Sequence, residues 1–445
     1  MGSSKRTDPL FESRNALTSA GLANLDEVSK LSKRGTESPH LTEATRPFNV
    51  LHTHSVNQND LQMKYDPLEH VATHFLRDAQ PARVASRNER DLLRLIWKSP
   101  GIERSDLTEP LDLTQQSLHR IVARLHERGM IVFSHAEARR AGPPSPELTL
   151  RKDWCLTLGI AVNVGSIGLC LMGFGEPLEN MEIRQAGASL SVELERIEAA
   201  VEDILARRGA KRRDILGVGL AVAGHRMLET AFNCPLPLAH WSLIDLAPLL
   251  GKQLALPVWA DNVARTAALA EAIFGVGRDV ADFAYIAHLH GYGGGLVSGG
   301  MPFRGSFGNA GEFSVLFGRE DYDDRPALNQ LLEHLRAKGR AGLTLNDLKN
   351  EELVGWDGVE EWVDRVMPAH NRAINAICAI FDPALIVLGG ELPHSLARKL
   401  IERTEFNNLP RHGAVRDVPQ LAVAEIIDAP GAIGAALIPL FETVL

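Results

Sequence analysis

Polar and basic side chains recur at helical spacing between residues 114 and 124, where their chemistry suits a nucleic acid. Thr114 is a residue type that begins helices, and Leu118, Val122 and Leu125 would form the buried face behind it. Glutamine and arginine pair in bidentate fashion with adenine and guanine edges, and arginines also contact phosphates. This pattern predicts a helix that enters the major groove through Thr114, Gln115, Gln116, Ser117, His119, Arg120 and Arg124.

Elements on both sides of this helix complete a small module over residues 83–152. The capping box of Ser86 and Glu89 begins a first helix, which Pro100 and Gly101 end, and a short second helix is expected from Ser105. Segments 130–134 and 148–150 predict a β-hairpin after the third helix. This order of elements is typical of a winged helix-turn-helix.

Arginines add to the DNA-binding prediction. Arg139 and Arg140 fall at the expected hairpin tip, where they would reach a neighbouring minor groove or the backbone, and Arg124 and Arg128 are placed for phosphates. A polar helix face is otherwise merely solvated in many proteins. The helix cap, the apolar spacing and the basic hairpin occur together within about 65 residues, which favours DNA binding.

Composition and charge agree with a basic module on an acidic body. The chain has 445 residues, 45% of them hydrophobic, and a net charge of −9. Residues 83–152 contain 13 Lys or Arg against 9 Asp or Glu, so the rest of the chain carries the negative charge. A polyanion partner is therefore expected for the module alone.

Several protein classes are excluded by simpler features. No apolar run approaches the roughly 18 residues of a membrane span, and no signal peptide pattern begins the chain. The four cysteines are scattered singly, which predicts neither disulfides nor a clustered zinc site. A cytoplasmic protein is expected. Residues 1–82 predict a disordered extension without an assigned role, and its histidines, without acidic or thiol partners, are expected to be solvated.

The remaining residues, 153–445, alternate short apolar runs with helical patterns. Such runs lie at 156–162, 215–222, 283–287 and 385–389. This alternation predicts an α/β domain.

Motifs along this α/β region resemble the ROK family of repressors, open reading frames and kinases, in the branch of the N-acetylglucosamine and xylose repressors. The stretch at 140–144 resembles the family's link between wing and body, and the body motifs follow in family order at 217–224, 256–264, 267–271, 308–313, 382–390 and 431–436. The resemblance implies two actin-like, ribonuclease-H-like lobes around a cleft, with sugar between them and, in kinases, ATP beside it.

The same resemblance indicates that kinase chemistry is lost. Phosphoryl transfer to a sugar needs a base near the hydroxyl and a backbone cradle for phosphates. Val263 stands where the family has its catalytic aspartate, and both phosphate loops, at 163–167 and 289–293, depart from the family pattern. A shifted register with Asp261 as base would need an insertion. We expect no catalytic residue and no cofactor, and, because the family's zinc motif is missing, no structural zinc.

Three polar residues, Asn233, Asn262 and Glu312, remain at positions that the resemblance aligns with sugar contacts, and Asp261 is added because it lies close to them. Amide and carboxylate groups suit sugar hydroxyls, which both donate and accept hydrogen bonds. A purely structural role in loops or at helix starts is the alternative for each. Val315 stands in place of the family's ring-gripping histidine, which argues against an ordinary hexose. The predicted effector contacts are Asn233, Asp261, Asn262 and Glu312.

The leading hypothesis is a transcriptional regulator, a repressor of carbohydrate-related genes. A homodimer or tetramer would read a palindromic operator, and a sugar or sugar derivative in the cleft would change the spacing of the two DNA-reading helices. One alternative is a sugar kinase with an accessory DNA-binding domain. The other is a DNA-binding protein that responds to no effector.

Overall fold

A computed structural model describes residues 66–67, 84–134, 146–187, 189–350, 352–353 and 355–445, without the side chain of Asn350. The extension predicted for residues 1–82 lies almost entirely outside these ranges, and so does the expected hairpin tip with Arg139 and Arg140.

Residues 84–134 and 146–150 form helices and a small sheet in the predicted order. Its elements are α1 (Arg87–Lys98), β1 (Ile102–Glu103), a 3₁₀ turn (Arg104–Leu107), α2 (Thr108–Leu111), α3 (Gln115–Glu127), β2 (Ile131–Ser134) and β3 (Glu147–Leu150). The strands pair antiparallel in the order β1–β3–β2. The Ser86 amide donates to Glu89 at 2.8 Å, and the Ser117 amide donates to the Thr114 hydroxyl at 3.2 Å. Both helices therefore begin at the predicted caps.

The first lobe contains a five-stranded mixed sheet in the order β10–β7–β4–β5–β6. Strands β4, β7 and β10 are parallel, whereas β5 and β6 run antiparallel to their neighbours. The elements are β4 (Leu156–Asn163), β5 (Ser166–Gly173), β6 (Glu176–Arg184), α4 (Leu190–Arg208), β7 (Ile215–Val222), the pair β8 (His225–Leu228) and β9 (Ala231–Asn233), α5 (Leu246–Leu254) and β10 (Val258–Asn262).

The second lobe repeats that topology. Its sheet order is β13–β12–β11–β14–β15, again with three parallel strands and two antiparallel ones. The elements are α6 (Val263–Phe274), β11 (Phe283–His288), β12 (Tyr292–Ser298), β13 (Met301–Phe303), α7 (Leu328–Ala337), α8 (Leu345–Asn350), α9 (Val359–Ile380), β14 (Leu385–Gly390), α10 (His394–Glu402), β15 (Gln420–Val423) and α11 (Pro430–Thr443). Two such sheets define the duplicated actin-like fold that the motifs implied.

Small residues let α11, which returns to the first lobe, pack directly on the first sheet and against α6. A Cβ at Gly219 on β7 would lie 1.8 Å from the carbonyl oxygen of Ala435. A Cβ at Gly434 would lie 1.7 Å from the carbonyl oxygen of Thr266. Backbone is therefore in contact with backbone at these positions, which explains the run of glycine and alanine in α11.

The N-terminal module shares a hydrophobic core with the first lobe. Leu92 and Ile96 of α1 belong to the same buried cluster as Met172, Phe174 and Leu440. The Trp97 indole donates to the Gly175 carbonyl at 2.9 Å, and the Trp154 indole donates to the Arg128 carbonyl at 3.1 Å. Apolar burial and hydrogen bonds thus fix the module to the body.

Within the described ranges, no helix is both long enough and apolar enough to cross a bilayer. The same residues bring no three His, Cys, Asp or Glu side chains together in a group that could hold a metal ion.

Candidate functional site

A cleft of about 440 Å³ opens between the two lobes. Three of the four predicted effector residues, Asn233, Asn262 and Glu312, line it. The first two come from the ends of β9 and β10, and Glu312 comes from the loop before a 3₁₀ turn (Phe313–Leu316) of the second lobe. The volume lies within the range of small-molecule sites.

Asn262 also has a structural role. Its side-chain oxygen accepts hydrogen bonds from the amides of Ala264, at 2.8 Å, and Arg265, at 3.2 Å, so it caps α6. Its side-chain nitrogen donates to the Gly224 carbonyl at 2.8 Å. The residue therefore fixes one wall of the cleft while it lines that wall.

Glu312 connects the two lobes across the cleft. One carboxylate oxygen lies 3.4 Å from Nδ1 of His225 in the first lobe, and the other accepts from the Ser314 hydroxyl at 2.7 Å. Nearby, the Asn309 side chain accepts from the Arg226 amide and donates to the Arg226 carbonyl, both at 2.8 Å. The sequence analysis did not single out Asn309, although it lies within the motif at 308–313.

Asp261 is the predicted effector residue that the structure places apart from the cleft. It lines a different cavity, and its carboxylate is paired with Arg265, with Arg226 at 3.5 Å and with Arg304 at 3.5 Å. Burial alone would raise the pKa of Asp261, but the three arginines hold that pKa below its ordinary value. Because neighbours in a strand point to opposite faces, Asp261 and Asn262 cannot both face the cleft.

Further polar groups, which were not predicted from the sequence, also line the cleft. Asn163 Oδ1, Asn329 Oδ1 and Arg325 Nε are buried, and no protein atom in the described ranges hydrogen-bonds to them. Buried polar atoms are nearly always paired in folded proteins. These three groups are therefore the strongest candidates for additional ligand contacts.

Two histidines, at positions 288 and 290, differ in environment. His290 lines the cleft, and burial lowers its pKa. His288 is fully buried at the end of β11, where burial, with His370 nearby, lowers its pKa to about 3. The His288 ring is therefore neutral and belongs to the interior rather than to the ligand site.

A small cavity adjoins the loop at 289–293. Leu289, Glu391, Pro430 and Gly431 surround a cavity of only about 30 Å³. The Leu289 amide donates to the Gly291 carbonyl at 3.0 Å, and the Leu289 carbonyl accepts from the Leu328 amide at 2.9 Å. A cavity of this size holds about one water molecule.

The predicted DNA-reading face of α3 is exposed, while its opposite face is buried. Leu118, Val122 and Leu125 are buried, and the residues of the opposite face that are solvent-exposed are Thr114, Gln115, Gln116, His119, Arg120 and Arg124, with Ser117 partly covered. Two of these have further contacts: Arg124 lies 3.3 Å from Glu89, and His119 Nδ1 lies 3.1 Å from Arg104.

The expectation that Arg128 contacts phosphate is wrong. Its side chain is only 8% exposed and lies 3.7 Å from the buried Glu89. It also donates to the Val84 carbonyl at 2.5 Å. Arg128 therefore joins α3 to the start of α1 instead of facing solvent.

Comparison with known proteins agrees with this geometry. The repeated lobes define an actin-like protein of the sugar-kinase type, and residues 159–314 match the model of the ROK family. The chain thus carries a ROK family domain. One solved structure with a similar fold is a ROK family transcriptional regulator, a homologue of the E. coli MLC protein, with a TM-score of 0.60 and 21% identity over 80% of this chain and 96% of that one. This likeness establishes a shared fold.

Relatives by sequence include proteins named as repressors and as kinases. The chain is 29% identical over 368 residues to the uncharacterized protein y4fQ of Sinorhizobium fredii, covering 80% of this chain and 91% of that protein. It is 27% identical over 337 residues to a putative xylose repressor of Caldicellulosiruptor sp., covering 70% and 84%. A beta-glucoside kinase of Listeria innocua is 27% identical over 197 residues, covering 41% and 66%.

Proposed function

We propose that the chain is a transcriptional repressor of sugar-related genes that binds DNA through a winged helix-turn-helix at residues 84–150. The observation that carries this proposal is the exposed face of α3, where Gln115, Gln116 and Arg120 stand on a helix whose other side is packed into the module. The residues chosen by spacing for base contacts are thus free to enter a groove. Similarity to a protein named as a putative xylose repressor also supports a repressor function.

The interlobe cleft is the effector site in this proposal. Asn233, Asn262 and Glu312 offer both donors and acceptors, which suits a sugar or sugar derivative. Asn163 and Asn329 add buried oxygens that have no protein donor among the described residues. Because Glu312 and His225 stand on opposite lobes, a ligand between them would change how the lobes close.

A regulator fits this chain better than a kinase does. Val263 offers no carboxylate at the position of the base, and its side chain lies against Gly431 of α11. The loop at 289–293, which departs from the family's phosphate-loop pattern, adjoins a cavity of only about 30 Å³. We therefore expect no ATP turnover with a panel of sugars. ATP turnover that is abolished by Asp261→Ala would contradict the inference that the chain is not a kinase.

The test of DNA binding uses the full chain and DNA flanking its own gene, against scrambled DNA at two salt concentrations. A preference of about a thousandfold for the native DNA is expected. Gln116→Ala and Arg120→Ala should each weaken that preference by about tenfold or more. Arg87→Ala is the matched control, because Arg87 is an exposed arginine of the same module on another helix. Equal, salt-limited binding to both DNAs would contradict the proposal.

The test of the effector site measures the thermal unfolding temperature with monosaccharides and their derivatives, xylose included. A ligand should raise that temperature for the wild type, and Glu312→Gln and Asn329→Ala should reduce the shift. A palindromic operator with two half-sites, bound by a homodimer, is also expected. No shift with any saccharide would indicate a regulator without a sugar effector.

A further inference from the structure

A second cavity, of about 270 Å³, lies where the N-terminal module meets the body; we refer to it as the junction cavity. Four arginines line it: Arg90 and Arg94 from α1, Arg265 from α6, and Arg304 from the segment after β13. Asp261 and Glu442 are the acidic residues of the lining. The side chains of the cavity therefore carry an excess of two positive charges.

The acidic groups of the cavity are already engaged. Asp261 is buried and paired with Arg265 and with Arg304, while Glu442 lies 3.6 Å from Arg304. Arg226, behind the cavity, approaches the same aspartate at 3.5 Å. Arg94 is engaged from outside the lining, by Asp91 at 3.6 Å and by the Leu445 oxygen at 2.8 Å. With Arg226 and Asp91 included, five guanidinium groups face three carboxylates, and like charges held together at partly buried positions favour an additional anion.

Donors remain at both the floor and the mouth of the cavity. Arg265 is almost fully buried, and its Nε has no hydrogen-bond partner among the described residues. The side chains of Arg94 and Arg304 are 44% and 53% exposed, so a ligand from solvent can reach them. Arg90 is held in place by the main-chain oxygens of Phe441 and Leu445. The site therefore combines fixed arginines with accessible ones.

We propose that the junction cavity binds a small anion that carries a phosphate group, either inorganic phosphate or a phosphate monoester, through Arg94, Arg304 and Arg265. Guanidinium groups bind carboxylates and phosphates in bidentate fashion. A phosphate carries a charge of about −1.5 to −2 and three acceptor oxygens, so it can pair with more of these guanidinium groups than a single carboxylate can. The volume is just below the usual range for drug-sized ligands, which suits a small anion.

A bound anion would connect the module to the effector cleft. Arg94 belongs to α1 of the module, and Arg265 belongs to α6, whose first turn is capped by Asn262 in the cleft. An anion between them would favour one position of α1 against the body, so cleft ligand and anion would change each other's affinity by the same factor. This coupling to DNA rests on the proposed function, whereas binding of the anion does not.

The test is isothermal titration of the full chain with inorganic phosphate, and separately with a sugar monophosphate, in a buffer of constant ionic strength without DNA. Saturable binding is expected, and Arg94→Gln and Arg304→Gln should each weaken it by about tenfold or more. Arg278→Gln should leave it unchanged, because Arg278 is exposed and pairs only with its neighbour Asp279 among the described residues. Acetate should bind more weakly than phosphate.

Two results would overturn the proposal. One is the absence of saturable phosphate binding by a chain whose thermal unfolding is cooperative. The other is binding that Arg94→Gln and Arg304→Gln weaken no more than Arg278→Gln does. Because the titration contains no DNA, a chain that fails to recognise an operator can still bind phosphate, so failure of the two proposals is distinguishable.

Discussion

Asp261 and Asn262 are neighbours at the end of β10, yet their side chains line two different cavities. Asn262 lines the interlobe cleft and caps α6, whereas Asp261 lines the junction cavity and pairs with Arg265 in the first turn of the same helix. The start of α6 is therefore held from both sides. A ligand that moves this helix end from the cleft will also act on the arginines beside the module.

Replacement of Asn262 tests its role as a helix cap. Asn262→Ala should lower the free energy of unfolding by about 1 to 2 kcal/mol, because the amides of Ala264 and Arg265 lose their acceptor. Denaturant unfolding measures this change. Asn262→Asp keeps an acceptor oxygen and should retain most of the stability, although the hydrogen bond to Gly224 is lost. Equal stability of Asn262→Ala and the wild type would contradict the capping role.

Arg120 lies on α3 and Arg128 directly follows that helix, but the two should respond to substitution in opposite ways. Arg128→Ala should lower the free energy of unfolding by about 2 kcal/mol or more, since it removes a charge partner from the buried Glu89 and a donor from the Val84 carbonyl. Arg120→Ala should leave unfolding nearly unchanged and weaken DNA binding. The measurements are thermal unfolding and DNA titration of both variants.

The prediction for Arg128 would be contradicted if Arg128→Ala were as stable as the wild type and bound DNA more weakly. That outcome would return Arg128 to the phosphate contact predicted from its position in the sequence.

Local sequence signals predicted where the helices begin. The predictions that were wrong concern residues whose contacts come from distant parts of the chain. The caps at Ser86 and Thr114 are contacts within one helical turn, so a sequence pattern is enough to place α1 and α3. Arg128 is different because its partner Glu89 lies on another helix and only folding brings the two together. Helical spacing alone identifies a face, but it cannot say which end of that face is covered.

The same distinction applies to the cleft. Asn233, Asn262 and Glu312, each selected from a motif, do line one cleft. Asn233 and Asn262 end strands there, and Glu312 precedes a 3₁₀ turn. Asp261 was assigned to that cleft because it is next to Asn262. Its carboxylate instead pairs with Arg226, Arg265 and Arg304 beside the junction cavity. Asn163 and Asn329 were missed because their polar atoms are recognised as unpaired only in the folded chain.

The contact between Gly175 and Trp97 joins the module to the body, and substitution of Gly175 tests its contribution to stability. Gly175 has φ +94°, and a Cβ there would lie 2.6 Å from the Trp97 indole nitrogen. Gly175→Ala should therefore lower the free energy of unfolding by about 1 to 3 kcal/mol, through backbone strain and displacement of the indole. Limited proteolysis between the module and the body should become faster. Gly187→Ala is the control, because Gly187 also has positive φ but has no atom within 4 Å of its added Cβ.

The control separates the two causes of the loss. Strain alone would affect both glycines equally and would leave proteolysis at the module unchanged. If Gly175→Ala and Gly187→Ala unfold alike and are cleaved alike, the contact of Trp97 with Gly175 does not hold the module in place.

Glu391 should make stability depend on pH near neutrality. It is buried after β14, and burial raises its pKa to about 7, with Glu182 adding to the effect and Lys349 opposing it. In the unfolded chain the same carboxyl ionises near pH 4.3. The folded chain thus holds a proton that the unfolded chain has released, so stability falls as the pH rises from about 4.5 through about 7.

Glu391→Gln removes this titration and retains the shape of the side chain. At pH 4.5 the variant and the wild type should have similar free energies of unfolding, whereas at pH 8 the variant should be more stable by about 2 to 3 kcal/mol. Denaturant unfolding of both proteins between pH 4.5 and 8 measures the difference between their free energies of unfolding. The titration of all other groups is common to both proteins and cancels in this difference. Parallel profiles for the two proteins would show that Glu391 ionises at its ordinary pKa, and that the second lobe opens to water beside Lys349.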